Sequence, residues 1–322
     1  MDLFLGFNPA ARVSRFAFRA QQPLFANRPL RLHGRPSDDG ADSGRQIRRL
    51  YGYDSEDLRM TRTRSWLFTP GSRPERFGKA LASAADVIIL DLEDSVALAR
   101  KDDARESVFG FLHGQPDTKR IAVRINPLNT RYGLLDLLAA SDSKPAWVIL
   151  PKVESATQVG QIRNLIPETG VVALIESARG LLNAAEIAQG GANLLMFGAA
   201  DYSSEHGIDP SWQTLLAARA RMIEAAVLAG IRAIDSPFFS VSDLGALIDE
   251  ARAARASGFS AKAAIHPGQI EAINNAFSPT EQETCWARTV ISESANGVAV
   301  VDGKMVDGAM ARRAMRILDE TI

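Results

Sequence analysis

The sequence predicts an α/β protein, a TIM (β/α)8 barrel with a C-terminal helix–hairpin–helix arm. Three observations predict it. From residue 64 onward, eight short runs of apolar and β-branched residues alternate with helix-like stretches. The runs show little polar–apolar alternation, as strands covered on both faces should. No Gly-x-Gly-x-x-Gly follows the first run, which argues against an open dinucleotide-binding sheet. Eight β-then-α units within roughly 215 residues suit a closed barrel better.

The strand-like runs are Ser65–Thr69, Val87–Leu92, Ile121–Ile125, Trp147–Leu150, Val171–Ile175, Leu194–Phe197, Arg232–Ile234 and Lys262–Ile265. Between them, Pro74–Ala84 opens with proline, which suits the first turn of a helix. Pro210–Ala229 carries Leu215, Leu216, Met222, Ile223 and Val227 at helical spacing, and Ser242–Ser257 sets Leu244, Leu247, Ile248 and Ala251 on one stripe. The barrel domain spans residues 60–276. In the remaining segment, 277–322, Pro279–Glu293 and Gly308–Leu318 read as helices. Between them Val298–Val301 and Lys304–Val306 flank Asp302-Gly303, a strong hairpin turn. A closed barrel has no need of these elements, so they are candidates for a lid or an arm that reaches a neighbouring subunit.

Composition narrows the function. The chain has 322 residues, is 46% hydrophobic and 23% charged, and has a net charge of −1. That balance offers no basic field for nucleic acid, and no apolar run approaches the ~20 residues of a membrane span. Cys285, the single cysteine, cannot form an internal disulfide and reads as a packing residue of a helix; its isolation fits a reducing, cytoplasmic compartment. Residues 1–59 differ from the rest, with ten arginines and no lysine. They read as an upstream extension with Met60 the natural start, as a disordered arm, or as a mitochondrial transit segment.

The candidate site lies at the C-terminal ends of the strands, where α/β barrels do their chemistry. Strand 2 ends in Asp91-Leu92-Glu93-Asp94, strand 3 in Arg124, strand 4 in Lys152 and Glu154, strand 5 in Glu176, strand 6 in Asp201, strand 7 in Asp235 and strand 8 in His266. Clustered buried acids need a cation or a proton to offset their repulsion. Two carboxylates with waters and a bidentate ligand suit octahedral Mg²⁺, with Mn²⁺ the alternative. The histidines His33, His113, His206 and His266 do not cluster with the acids, which disfavours zinc. Salt bridging or helix capping is the competing role for Glu176 and Asp201. Arg124 either pairs with Glu93 or Asp94, or grips a ligand carboxylate with its fork. A metal beside an arginine describes a site for a small 2-oxo acid.

Several segments together resemble one family. They are Arg64–Lys79 with its Phe-Thr-Pro-Gly-Ser-Arg-Pro, the Leu-Asp-Leu-Glu-Asp-Ser-Val within Asp86–Val96, Val123–Asn126, Leu150–Glu154, Leu174–Ser177, Phe197–Asp201 and Ala264–Pro267. In order, they resemble the citrate lyase β-subunit-like and malyl-CoA (citramalyl-CoA) lyase family of the HpcH/HpaI aldolase superfamily. The resemblance covers residues 64–322 and not 1–59. It implies that Glu176 and Asp201 bind Mg²⁺ and that Arg124 binds an oxo-acid carboxylate. Phe68, Arg73 and Lys79 would contact coenzyme A, with Asp235 and Pro237 on the acyl-thioester loop. Glu93, Asp94 and Lys152 would stand behind these, with Glu93 and Asp94 holding metal waters and orienting Arg124. Asp307 would be a catalytic acid delivered to an adjacent subunit's site, which implies a homotrimer or hexamer. The histidine base of class II aldolases is missing, since Ser95 and Val96 follow Asp94. The implied activity is an Mg²⁺-dependent carbon–carbon lyase that cleaves a 3-hydroxyacyl-CoA reversibly to an oxo acid and an acyl-CoA thioester. The alternatives are a citryl-carrier-protein lyase subunit of a larger assembly, or a synthase- or thioesterase-type variant.

Overall fold

The computed structural model describes residues 63–294, 299–301 and 303–321. The expectations for residues 1–59 and Met60 lie outside the described residues. Eight parallel strands close on themselves in chain order: β1 (Ser65–Pro70), β2 (Val87–Asp91), β3 (Ile121–Arg124), β4 (Trp147–Leu150), β5 (Gly170–Ile175), β6 (Leu194–Phe197), β7 (Arg232–Asp235) and β8 (Ala261–Ala264). The seam is made by β8 against β1, with Trp66 opposite Ala263 and Leu67 opposite Ala264.

Each strand sends alternate side chains to opposite faces. One face of every strand fills the barrel interior, where Trp66, Ile89, Ala122, Ile149, Leu174, Met196 and Ile234 pack together. The other face, with Leu67, Ile88, Leu90, Val123, Val148, Ile175 and Leu195, packs under the surrounding helices. Both faces are apolar, which is why the strands read as continuous apolar runs. The same parity, carried on by two residues, sets the top layer of the interior. Phe68 follows Trp66, Asp91 follows Ile89, Arg124 follows Ala122, Glu176 follows Leu174 and Gly198 follows Met196.

Three expectations change. β6 is Leu194–Phe197 as expected, but Asp201, assigned to its end, lies four residues on in the first turn of the helix Ala199–His206. Pro74–Ala84 divides into a 3-10 turn, Pro74–Arg76, and a short α-helix, Phe77–Leu81. The long helix begins only at Leu216 and ends at Leu228. Leu215 and Met222 are buried, but Leu216 and Val227 are 49% and 72% exposed. Its packing face is built from the small side chains Ala218, Ala225 and Ala226, which let it approach the barrel closely.

Parity also overturns the placement of Asp235. Ile234 faces the interior, so Asp235 points outward, between barrel and helices, where it is 0% exposed. One oxygen accepts from Arg219 Nε at 2.8 Å and the other from Lys262 Nζ at 2.6 Å. Lys262 also donates to Glu250 at 2.7 Å and to the Ser236 carbonyl at 2.8 Å. Burial works against ionisation of Asp235, but Lys262 and Arg219 outweigh it and hold the carboxyl below its usual range. Arg219 stacks over Trp212, 4.4 Å from the ring centre. Two cations and two acids thus tie β7 and β8 to two helices.

Beyond the helix Ile270–Ala276, a second small core forms in the C-terminal segment. The helices Glu281–Ser294 and Gly308–Asp319 flank a hairpin, β9 (Ala299–Val301) and β10 (Lys304–Val306). Ala287, Val290, Val301, Val306, Ala314 and Ile317 pack together there. Gly303 adopts φ +72°, where a side chain would be strained. Cys285 is exposed, contrary to its expected packing role, because Thr284 and Ala287 take the buried positions of that helix. Among the described residues no helix is long and apolar enough to cross a membrane.

The charge cluster gives a stability prediction. Removing one partner leaves a buried charge uncompensated, which costs about 3–5 kcal/mol. Asp235→Ala should therefore lower the urea midpoint markedly, and a loss below about 1 kcal/mol would show the cluster to be incidental to the fold.

Candidate active site

The C-terminal mouth of the barrel holds a cavity of about 400 Å³. Leu174 and Met196, the last apolar interior layer, form its floor. Phe68, Arg124, Glu176 and Asp201 stand above them, and Pro237 and Phe239 close one side. The cavity is therefore an apolar bowl with a charged rim, the usual build of a small-molecule site.

Arg124 and Asp91 face each other across the β2–β3 pairing. Nε donates to Oδ1 at 2.6 Å and Nη2 to Oδ2 at 2.7 Å, a two-point pair with Asp91 almost fully buried. Nη1 lies 3.0 Å from Glu93 Oε2. Phe68 lies under the guanidinium, 4.9 Å from ring centre to Cζ. Burial opposes the charge on Arg124, but Asp91, Glu93 and Glu176 more than offset it and keep the group fully ionised. A guanidinium has five N–H donors; Asp91 takes two, which leaves one on Nη2 and two on Nη1. Arg124 lines the cavity, and its orientation is fixed before any ligand arrives.

The acids outnumber the cations. Glu93 lies between Arg124 and Lys152, whose Nζ is 2.9 Å from Oε1. These are charge contacts, since neither Glu93 oxygen has an aligned hydrogen bond. Burial, reinforced by Asp94 and resisted by Arg124 and Lys152, raises the Glu93 pKa. Glu176 accepts one hydrogen bond, from the Lys152 backbone N–H at 2.8 Å. Burial, with the charges of Glu93 and Asp201, pushes its pKa to about 8, against the pull of Arg124. Asp201 Oδ2 is buried without a hydrogen-bond partner.

Gly198 makes room for Glu176. Its φ of −98° would suit any residue. A Cβ there, however, would fall 2.4 Å from Glu176 Cβ and 2.7 Å from Oε2. The glycine is required by close approach of a side chain, not by backbone strain.

Other residues singled out in the sequence fall at different depths. Phe68, Asp94, Arg124, Glu176, Asp201 and Pro237 line the cavity. Arg73 and Lys79 are exposed, on and after the β1 loop. Asp235 lies outside the bowl with both oxygens engaged, and Pro237 represents its loop in the wall. His266 caps the turn Pro267–Gln269 and is exposed. Asp307 is exposed and caps the last helix, accepting from the Ala309 and Met310 N–H groups at 2.9 and 3.1 Å. It does not line the cavity of its own barrel. Sequence reasoning gave no role to Asp91, Gly198 or Phe239. Counting by twos from Ile89 or Met196 would have flagged the first two. Phe239 lies on a loop and gives no such signal.

Comparisons with known proteins bear on the family and the fold. A family model described as HpcH/HpaI aldolase/citrate lyase matches residues 64–267. A citrate lyase subunit beta-like protein of Mycobacterium tuberculosis (strain CDC 1551 / Oshkosh) is 40% identical, over 79% of this chain and 93% of that one. A (3S)-malyl-CoA thioesterase of Cereibacter sphaeroides (strain ATCC 17025 / ATH 2.4.3) is 36% identical, over 76% of this chain and 89% of that one. The crystal structure of protein CitE from Mycobacterium tuberculosis, in complex with magnesium, acetoacetate and coenzyme A, superimposes with a TM-score of 0.73 at 37% identity. It covers 81% of this chain and 98% of that one.

Gly198→Ala tests the packing of the site. The added methyl should push Glu176 away and cost about 1–3 kcal/mol by overpacking. A melting curve and a crystal structure of the variant check this; an unmoved Glu176 with unchanged stability would contradict it.

Proposed function

The chain belongs to the HpcH/HpaI aldolase/citrate lyase family, and we propose that within it the protein is an Mg²⁺-dependent CoA-ester lyase. It would cleave a 3-hydroxyacyl-CoA of malyl- or citramalyl-CoA type, reversibly, to an oxo acid and an acyl-CoA. The observation that carries this reading is the charge imbalance at the barrel mouth. Glu176 is nearly buried with one hydrogen bond, and beside it Asp201 has an orphaned oxygen. Lys152 Nζ, 3.8 Å from Asp201 Oδ2, and the charge of Arg124 only partly offset the pair. Among the described residues no group of three His, Cys, Asp or Glu side chains is placed to hold a metal. Two carboxylates with the remaining positions left to water and substrate fit Mg²⁺, which keeps several waters, better than Zn²⁺. The Mycobacterium tuberculosis relative whose crystal structure contains magnesium, acetoacetate and coenzyme A supports the same assignment.

Glu176 and Asp201 would hold the metal, which when bound supplies Lewis-acid polarisation of the oxo-acid oxygen and stabilises charge developing there. Arg124 binds the substrate carboxylate through N–H groups that Asp91 leaves free, its orientation fixed by the two-point pair with Asp91. The apolar floor of Leu174 and Met196 excludes water from the reacting carbons. Arg73 and Lys79, exposed beside the β1 loop, would take the phosphates of coenzyme A. Asp94, on the cavity rim, would hold water at the metal.

Asp307 would act as the general acid–base at a neighbour's site. In the condensing direction it takes a proton from the thioester α-carbon; in cleavage it returns that proton. Its exposure and its absence from its own cavity support a role in trans. So does the exposed Val300–Met305 cross-strand pair on the same hairpin, with both residues about two-thirds uncovered. The assembly would then be a homotrimer or hexamer, since head-to-tail contacts close into rings. The (3S)-malyl-CoA thioesterase relative favours a second reading in which water cleaves the thioester of the 3-hydroxyacyl-CoA, giving the hydroxy acid and free coenzyme A. Mass spectrometry of products from a panel of CoA esters separates free acid from acyl-CoA.

Activity should vanish in excess chelator and return with Mg²⁺ or Mn²⁺, and Glu176→Gln or Asp201→Asn should abolish it without unfolding the chain. Full turnover in chelator would sink the metal assignment. Affinity should also depend on pH. The metal takes Glu176 ionised, whereas burial and the neighbouring acids push its pKa up to about 8. Mg²⁺ binding by calorimetry should therefore strengthen from pH 6 to about 8, by up to about tenfold per unit, and then level off. A flat profile would remove Glu176 from the ligand set.

Asp307→Asn separates catalysis from capping, because asparagine caps a helix as well as aspartate. The variant should keep the wild-type melting temperature and lose roughly 10²–10⁴-fold in rate. Mixed with inactive Arg124→Ala protein under conditions where subunits exchange, it should regain activity. Exchange without recovery would confine Asp307 to its own chain.

A further inference from the structure

We propose that Lys152 is a built-in stand-in for the metal, a tethered cation that holds the acids together in the empty site and is displaced when the divalent ion arrives. The inference rests on the assignment of Glu176 and Asp201 as metal ligands.

Lys152 reaches the acid cluster in two ways. Its backbone N–H donates to Glu176 Oε1 at 2.8 Å. Its Nζ lies 2.9 Å from Glu93 Oε1 and 3.8 Å from both Asp94 Oδ1 and Asp201 Oδ2. One residue therefore touches every acid of the cluster except Asp91, which Arg124 already satisfies. Its φ is +53°, a left-handed conformation held by only one other non-glycine residue among those described. That conformation is unfavourable for a long side chain. Here it accompanies an N–H and an ammonium directed at the same cluster.

The two contacts differ in strength of hold. The N–H is part of the turn that follows β4, so it stays with Glu176 whatever the side chain does. The side chain is 46% exposed, and its contacts to Asp94 and Asp201 are long. Swinging to solvent gives up one close contact, the 2.9 Å approach to Glu93 Oε1, and leaves Glu93 to Arg124, 3.0 Å away. An arriving divalent ion would bring greater charge to Asp201 and would repel an ammonium within a few ångströms. Displacement of the ammonium therefore relieves that repulsion, while Glu176 remains oriented by the backbone. Arg124, pinned by Asp91 at two points, has no such freedom and stays as the anion-binding group.

The site acids facing Lys152 are Glu93, Asp94, Glu176 and Asp201, with Asp91 behind Arg124. Five carboxylates meet two cations at ion-pair distance, Arg124 and Lys152, with Lys101 acting on Asp91, Glu93 and Asp94 from behind. Without Lys152 or a metal, no cation among the described residues would stand beside Asp201. The lysine thus stabilises the metal-free fold and at the same time competes with the metal, lowering its affinity to a level at which the ion can exchange.

Lys152→Asn tests this, because asparagine tolerates the left-handed conformation and is too short to reach the acids. Lys152→Arg keeps the charge. Calorimetry with Mg²⁺ alone, without substrate, should give at least about tenfold tighter binding for Lys152→Asn than for wild type, with Lys152→Arg near wild type. In chelator, Lys152→Asn should melt about 2–4 °C lower, and saturating Mg²⁺ should close the gap. Amine-reactive labelling read by mass spectrometry should increase at Lys152 when Mg²⁺ is added to wild type. A lysine that merely orients the acids would behave oppositely: its loss would leave binding unchanged or weaker, and its labelling would not rise with metal. Either result overturns the proposal. If wild type itself binds no Mg²⁺, the metal assignment falls, and this inference with it. If wild type binds and Lys152→Asn binds no tighter, only the stand-in role falls.

Discussion

A strand buried on both faces must send one side chain inward and the next outward, with no solvent-facing side on which a misplaced charge can be tolerated. In this barrel that constraint sorts the chemistry. The inward parity of β2, β3 and β5, extended to the last residue or just past it, delivers Asp91, Arg124 and Glu176 to one layer above Leu174 and Met196. On β6 the same position must be empty of side chain, and Gly198 provides that space. The outward parity of β7 and β8 delivers Asp235 and Lys262 to the helix layer, where Arg219 and Glu250 neutralise them. Similar charges thus have opposite functions, one set facing a ligand and the other fastening helices to the barrel.

The inward layer has an electrostatic problem that the outward one lacks. The outer cluster balances two cations against two acids and holds Asp235 ionised. The inner cluster has more acids than cations. Burial, with that imbalance added, drives the Glu176 pKa to about 8 and raises that of Glu93 in the same direction. Strongly perturbed groups in a cleft mark sites where a ligand completes the charge balance. Arg124 is held rigid by Asp91, whereas Glu176 and Asp201 are left underpaired, as the proposed anion and metal sites require. Between them Lys152 is firmly placed by its main chain and loosely by its side chain.

The C-terminal segment obeys a different rule. Its small core of Ala287, Val290, Val301, Val306, Ala314 and Ile317 packs within itself. Asp307 ends the hairpin exposed, with its carboxylate oxygen engaged only as a helix cap. A residue that caps its own helix can still present its second oxygen outward. Capping and catalysis in a neighbour are therefore compatible uses of one aspartate.

The sequence by itself determined the fold class and the location of the site. Eight apolar runs separated by helical stretches permit few closed architectures, and the polar residue ending each run marks one rim. Strand limits read from the sequence fall within one or two residues of those observed, because the apolar run and the hydrogen-bonded ladder end for the same reason. Tertiary structure alone decided which parity faces inward. In β7, Arg232-Ala233-Ile234-Asp235, both faces are apolar enough that the pattern is silent, and register with β6 and β8 sets the choice. That choice removed Asp235 from the cavity. Tertiary structure also brought Arg124 to Asp91 rather than to Asp94, because the β2–β3 register places those two residues side by side. It set Lys152 among four acids from three places: Glu93 and Asp94 in the loop after β2, Glu176 just past β5 and Asp201 in the helix after β6. Such distances depend on how strands stagger around the barrel, which no local run of residues encodes.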